Sequence, residues 1–440
     1  MRQHTNDGTR QELGGRRALP TETDVAVIGG GIAGLASALT AARAGVRVAV
    51  LEGNELGGRG RTTQRDGFAL NIGPHAVYDR GALRALISEH ALELTGGRPP
   101  TRGVGMVRGG ERQVVTVSPV GLATSSLLKA RSRARVLSLF ARVPRMRPEQ
   151  HVGQSVAEWL GGEPEDVQQF IGAFIRVSTY THAPAQFDAG AAIAQLQLAL
   201  HGVTYLDGGW GRMVDVMAAR ARTLGAQVHD HAAVTSVVDD GARVIVTLGD
   251  HEIRARSVVI ASGGPDVATR LTGGAVAGRE HLTAPIRAAS LDLATRRPFP
   301  DCFSLGMDRP LYLSPHAPAA KLAPEGRGLV SAMRYLSPDE GAGEPAASRD
   351  ELRHLARLAG IDDGDVLWER ALHQSIVSYG SPTAAGGGLV GRPGTDALGL
   401  PRVQLAGDWV GPVGLIGDAS AASGVAAGRA AARLCASIDA

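Results

Sequence analysis

The chain of 440 residues is long enough for two or three domains, and its 44% hydrophobic and 20% charged residues exclude a disordered or fibrous protein. Its 46 basic and 43 acidic residues leave a formal charge of only +3, and its four Trp, six Tyr and seven Phe form no clusters, so nucleic acid is not an expected partner. Two cysteines, Cys302 and Cys435, cannot supply a disulfide framework or a four-ligand metal site, which points to a reducing, cytoplasmic setting and to no metal.

In chain order, residues 1–21 are polar, mixed in charge and without periodicity, and read as a disordered N-terminal tail. Asp24–Ile28 is a short apolar run that reads as a buried parallel strand. Ala33–Ala44 is a helix of small and apolar residues closed by Gly45, and Val46–Glu52 is a second strand. The uncharged run Val25–Ala42 has the length of a membrane span, yet its centre, Gly29-Gly30-Gly31-Ile32-Ala33-Gly34, reads as a turn between strand and helix. Residues 53–66 read as a Gly- and Arg-rich loop, and about 99–199 as mainly helical. A helix from Gly208 to about Leu224 follows, then strands at Gln227–His229, Ala233–Val238, Arg243–Leu248 and Ile253–Ile260. Between 281 and 394, strands at Ala288–Leu293 and Leu329–Arg334 mix with a helix at Arg349–Leu358. The chain closes with a strand at Val403–Ala406, a Gly-rich turn and a helix at Asp418–Ser437. Both ends share a strand–glycine–helix idiom. One nucleotide-binding domain is therefore expected from 22–95, 205–280 and 395–440, and a second domain from 96–204 and 281–394.

The strongest signal is Gly29-x-Gly31-x-x-Gly34 directly after a strand, with Glu52 ending the next strand. Gly29 supplies the backbone angles of the turn, Gly31 lets a pyrophosphate approach, and Gly34 permits close packing of the helix on the sheet. The first turn of that helix, which includes Ala33, offers free N–H groups to the anion. Glu52 is placed to accept from the ribose hydroxyls of an adenosine.

Gly57-Gly58-Arg59-Gly60-Arg61-Thr62 resembles the GGRxxT extension of the large FAD-dependent family that contains monoamine oxidases, protoporphyrinogen oxidases and phytoene desaturases. The resemblance implies that Gly58 and Arg59 lie at the pyrophosphate and ribityl chain. Asn71-Ile72-Gly73-Pro74-His75 is similar to the family's glycine turn beside the flavin ring, which implicates Gly73, Pro74 and His75. Ser155–Leu160 resembles the start of the helical substrate domain, and Tyr205–Trp210 the return into the FAD domain. Ala232–Val237 is similar to the strand whose main chain, at Val234, holds adenine. Leu405-Ala406-Gly407-Asp408 with Gly414-Leu415-Ile416-Gly417-Asp418 resembles the C-terminal flavin motif, which implicates Gly407, Asp408, Gly414 and Leu415. There the aspartate binds a ribityl hydroxyl and a helix N-terminus faces the flavin carbonyls. The implied fold is α/β: a glutathione-reductase-like, FAD-binding Rossmann domain with an inserted α+β substrate domain. The FAD is expected to be non-covalent, because Cys302 and Cys435 are both misplaced for a cysteine tether.

The implied activity is oxidoreduction: two electrons leave a C–C or C–N bond of a largely apolar small molecule as hydride. Pro310–Ser314 is nearer the phytoene-desaturase and protoporphyrinogen-oxidase branch. The alternatives are oxidation of a cyclic or secondary amine by O2, a redox-neutral isomerase, and a non-catalytic binding protein of the Rab GDP-dissociation-inhibitor type. Glu52, Arg59 and Asp408 argue against the last. A single GxGxxG unit leaves no second nucleotide domain, so O2, a quinone or another diffusible acceptor is expected to take the electrons.

The paired aromatics of the amine oxidases are not evident. Trp409 reads as a packing residue, and Tyr379 has no obvious ring partner. His75 is the one placed acid–base candidate, as a proton shuttle or a hydrogen-bond anchor. His201, His231 and His373 carry no motif, and the Lys321 context reads as a surface loop. The stretch from Ser125 to Arg147 is rich in basic residues and contains no acid. It fits either an interfacial helix at a membrane or a cap helix with a solvated basic face, and with no lipid anchor the second is favoured.

Overall fold

The computed structural model describes residues 18–99, 103–116, 118–341 and 343–438. Two seven-stranded sheets organise the chain. In the first, strand Glu22–Ile28 lies between Val48–Leu51 and His251–Ile260, parallel to both, and Gln227–His229 extends the edge. The far half of His251–Ile260 pairs with Val403–Leu405, while its near half pairs antiparallel with Val244–Leu248. Val25, Val27 and Val50 are fully buried because helices cover this sheet, which is why these strands read as unbroken apolar runs. Helix Ile32–Arg43 packs against the final helix, Ile416–Ile438, at small residues. A Cβ at Gly424 or Gly428 of the final helix would overlap the backbone of Ala33 or Ser37.

The second sheet runs in the order Val366–Ser378, Ile286–Thr295, Gly328–Tyr335, Leu311–Ala317, Ser304–Gly306, Val104–Arg108 and Glu111–Val115. All its pairings are antiparallel except that of Ser304–Gly306 with Val104–Arg108. Helices Glu165–Thr179 and Ala189–Ala199 share an apolar cluster with the strands through Phe170, Ala192, Tyr312 and Tyr335.

Several expectations change. The region 99–199 is not helical at its start: Val104–Arg108 and Glu111–Val115 form a hairpin that edges the second sheet. Residues 53–66 are not all loop, since Thr62–Arg65 pairs with Phe68–Asn71. The thirteen-residue strand Val366–Ser378 carries no clear sequence signal; its charged and polar residues alternate irregularly because it is a half-exposed edge with register shifts. The expected tail is shorter at its inner end, for Arg254 N donates to Thr21 O at 2.9 Å and His251 Nε2 contacts Pro20 O at 3.0 Å. Residues 1–17 lie outside the described residues. Among the described residues, no helix is long and apolar enough to cross a membrane.

Candidate active site

The fingerprint glycines sit in contrasting environments. Gly29 has φ +108°, a left-handed conformation that disfavours other residues. At Gly34 a Cβ would overlap the Gly29 carbonyl, so the helix can seat on the turn only without a side chain there. Gly31 is the opposite case: φ is −80°, and a Cβ would meet nothing nearer than Gly57 O at 3.8 Å. Across from it, a Cβ at Gly58 would find only Gly31 Cα, at 4.0 Å. Between Gly31 and Gly58 the chain therefore leaves a cradle, bordered by the first-turn amides of Ile32, Ala33 and Gly34, which have no intrahelical acceptors. The Gly57 amide donates to Gly30 O at 2.9 Å and docks one wall of the cradle on the other.

The Glu52 carboxylate accepts from the amides of Gly30 (2.8 Å) and Asn54 (2.9 Å), so it also holds the turn. Each oxygen keeps a further lone pair for a hydroxyl donor. Ala232 N donates to Glu52 O at 2.7 Å, which sets Val234 beside the end of the second strand.

At the other end of the site, Arg59 and Asp408 meet from opposite ends of the chain, with Arg59 Nη1 2.9 Å from Asp408 Oδ2. Arg59 Nη1 also donates to Val377 O at 2.7 Å, and its guanidinium lies 4.8 Å over the Tyr379 ring. Tyr379 thus has a cationic partner rather than a second ring. Tyr379 N donates to the same Asp408 Oδ2 at 3.1 Å, whereas Asp408 Oδ1 is buried with no partner. An orphaned buried carboxylate oxygen is costly unless a ligand donor completes it. Gly407 exchanges hydrogen bonds with Ser423 Oγ of the final helix, and Leu415 O accepts from the Asp418 and Ala419 amides at that helix's start. Gly414 has φ +66° in the turn before it.

Between these two ends lies the turn of Gly73, Pro74 and His75. Gly73 has φ +78°, and the only neighbour a Cβ there would meet is Ser290 Oγ at 3.8 Å. His75 Nδ1 contacts Gly73 O at 2.9 Å, and its ring meets Trp210 edge-on at 4.5 Å. Burial pushes His75 down to about 4; the nearby Arg59 charge acts in the same direction, while the Gly73 and Arg59 carbonyls oppose. The imidazole is therefore neutral at pH 7.

The second sheet presents rings on this side. Tyr205 stacks on His316 at 4.2 Å, and its hydroxyl lies 2.9 Å from Ser314 Oγ. Tyr180 packs against Tyr312 and Tyr335. Burial, helped by His75, lowers His316 to about 3. Tyr312, Ser314 and His316 alternate along one strand and so share a face.

The fold thus brings together Gly29, Gly31, Ala33, Gly34, Glu52, Gly58 and Val234 at one end of the site, and Arg59, Gly407, Asp408, Gly414 and Leu415 at the other. Leu415 is buried in the cluster shared with the second sheet. His201, His231 and His373 have exposed side chains, as does Lys321, whose amide donates to Asp207; only the main chain of His231 meets the site, its amide donating to Asn54 O at 3.1 Å. Sequence reasoning misses Arg392, which is 5% exposed and donates to the carbonyls of Asp408 (3.2 Å), Val413 (3.3 Å) and Gly414 (2.9 Å). It also misses His316 and Tyr335. The every-second-residue pattern Tyr312, Ser314, His316 is the available signal for the first; nothing local marks Arg392.

Residues 32–435 match the family model for flavin-containing amine oxidoreductases. The chain is 45% identical over 69 residues to hydroxyneurosporene desaturase of Rhodobacter capsulatus, covering 16% of this chain and 14% of that protein. It is 52% identical over 52 residues to carotenoid 3,4-desaturase of Haloarcula japonica, covering 12% and 10% respectively. The chain thus matches only a small part of the length of these two relatives. Among solved structures, cyclohexylamine oxidase of Brevibacterium oxydans superposes with a TM-score of 0.71 at 18% identity, over 95% of this chain and all of that one. With the family match spanning nearly the whole described chain, this protein belongs to the flavin-containing amine oxidoreductase family.

Proposed function

We propose that the protein is an FAD-dependent dehydrogenase that desaturates a C–C bond of a largely apolar, uncharged small molecule: one carbon loses a hydride, its neighbour loses a proton to solvent, and the electron pair passes on to a diffusible acceptor. Segments 22–95, 205–280 and 395–440 form the FAD-binding domain in this reading, and 96–204 and 281–394 the substrate domain, in keeping with the two sheets. The cradle between Gly31 and Gly58 fits a pyrophosphate, Glu52 the adenosine ribose, and the orphaned Asp408 Oδ1 a ribityl hydroxyl. When bound, FAD supplies the two-electron acceptor. The residues of the chain bind and orient: the rings of Tyr180, Tyr205 and Tyr312 exclude water, and a fixed position of the substrate against the ring lowers the barrier.

The observation that carries the choice of substrate is electrostatic. His75 and His316 are held neutral by burial, and the Arg59 cation beside His75 is paired with Asp408. A protonated amine would gain nothing there, whereas a neutral apolar molecule loses nothing. The exposed Lys129, Arg131, Arg135, Arg142, Arg145 and Arg147 are the solvated face of a cap helix in this reading, because Val136, Leu139 and Val143 of the same segment are buried against the protein.

Anaerobic mixing of FAD-loaded protein with polyenes, porphyrinogens and cyclic amines tests the proposal. Bleaching of the flavin by a neutral polyene is expected, and bleaching by amines or porphyrinogens alone overturns it. Protein that shows no flavin absorption after incubation with FAD would instead favour a binding protein.

A further inference from the structure

The turn that carries His75 begins at Asn71, and Asn71 is held from two sides. Its Oδ1 accepts from Trp210 N at 2.9 Å and from Thr62 Oγ1 at 2.8 Å, bonds made within the cofactor-side half of the molecule. Its main-chain carbonyl accepts from Arg370 Nη2, which comes from the second sheet, 299 residues away. Arg370 is itself fixed. Strands Val366–Ser378, Ile286–Thr295 and Gly328–Tyr335 place Arg370, Asp292 and Ser331 side by side in register. Arg370 Nε donates to Asp292 Oδ2 at 3.0 Å, and Ser331 Oγ donates to Asp292 Oδ1 at 2.7 Å. Burial raises Asp292, and the Arg370 charge opposes it.

An ion pair with a buried carboxylate and a half-buried guanidinium is a poor source of stability, because desolvation offsets the attraction and a well-packed apolar pair serves as well. What an apolar pair could not supply is the directed bond to Asn71 O. A second contact runs alongside, where Phe68 meets Trp368 edge-on at 5.2 Å. The strand that leads into the His75 turn is therefore seated against the edge strand of the substrate-side sheet, with Arg370 as its polar latch.

We propose that Arg370, held by Asp292 and Ser331, is a positioning residue: it ties the His75 turn to the sheet that walls the substrate chamber, so that turn, flavin ring and substrate keep one spacing. The proposal rests on the FAD-dependent reading above. It predicts a change in the surroundings of the flavin ring and in its reduction, without a change in the grip on the nucleotide, because the cradle, Glu52 and Asp408 make no contact with Arg370.

The test uses full-length protein loaded with FAD. In Arg370→Met, the FAD dissociation constant is expected to stay within about threefold of the parent. The absorption envelope of the bound flavin should shift, and anaerobic reduction by whichever polyene, porphyrinogen or cyclic amine bleaches the parent fastest should slow by about 10- to 100-fold, the scale of a sub-ångström to ångström misplacement. Arg370→Lys, which keeps the charge but not the planar fork, should fall between the two. Parental reduction rates, an unchanged flavin spectrum, or a rate loss matched by an equal loss of FAD affinity would each overturn the proposal. If Arg370→Met does not fold, the same three measurements on Arg370→Lys and Asp292→Asn decide the matter in the same way. A parent protein that takes up no FAD would sink the functional reading itself, which is a separate outcome.

Discussion

The glycine cradle and the ring cluster on the second sheet are built by different means. The cradle is made almost wholly of main chain: amides, carbonyls and missing side chains, set by glycines within about thirty residues of one another and one carboxylate, Glu52. The ring cluster is made of side chains, Tyr180, Tyr205, Tyr312, His316 and Tyr335, that come from helix and strand segments far apart in sequence. Main-chain sites demand particular backbone angles and therefore particular residues, which leaves a recognisable pattern. Side-chain sites tolerate any residues of suitable volume and polarity, so long as the walls meet.

The contrast can be broken most sharply within the fingerprint itself. Gly34→Ala should destabilise even the apoprotein, by ~3 kcal/mol or more, since its Cβ meets fixed backbone at Gly29 O. Gly31→Val should cost the apoprotein no more than ~1 kcal/mol yet abolish FAD uptake, because the side chain fills a space the protein leaves open. Denaturant melts of both apoproteins, beside flavin content after incubation with FAD, separate the two; equal stabilities would erase the distinction between these glycines.

Asp418 marks where the cofactor-side fold carries a strained polar group. Its Oδ1 accepts from Leu83 N at 2.8 Å, Oδ2 is buried without a partner, and burial raises its pKa to about 6 from 3.8. A raised folded pKa means that the folded state binds the proton more tightly. The resulting stabilisation is complete below pH 3.8 and is lost as pH rises through about 6. Asp418→Asn should therefore stabilise the apoprotein by about 1–3 kcal/mol at pH 8 and change it little at pH 4. Urea midpoints at the two pH values check this, and a pH-independent difference would refute the assignment.

Glu52→Ala should weaken FAD binding by ~1.5–3 kcal/mol, read by titration of the apoprotein, through loss of a charged acceptor. Because Glu52 also holds the Gly30 and Asn54 amides, a modest fall in apoprotein stability should accompany it. On the side of the ring cluster the smallest effect is expected. His75→Ala should leave FAD affinity intact and slow the reductive half-reaction in stopped flow, since its neutral ring contributes placement rather than nucleotide binding.

What is legible in the chain follows the same division. The strands flanking the fingerprint, the helix after it and Glu52 can be read from the sequence, because buried parallel strands are apolar throughout and the turns need glycine, whereas Arg59 and Asp408 are marked only by the resemblance of their motifs to the FAD-dependent family. The hairpin at Val104–Val115 reads as helix, and strand Val366–Ser378 leaves no readable pattern. Short edge strands, exposed on one side and interrupted by register shifts, lack a clean period of two.

The sequence alone determined that a tight glycine turn joins the first strand to the first helix, since the φ of +108° at Gly29 and the packing at Gly34 strain any residue with a side chain. It could not determine that Arg392 reaches the Asp408 and Gly414 carbonyls, that Tyr379 lies beneath Arg59, or that Arg370 meets Asn71. These are contacts between segments whose separation in sequence carries no information about distance in space. Only the pairing and register of two sheets, set by the burial of many side chains at once, bring them within hydrogen-bond reach.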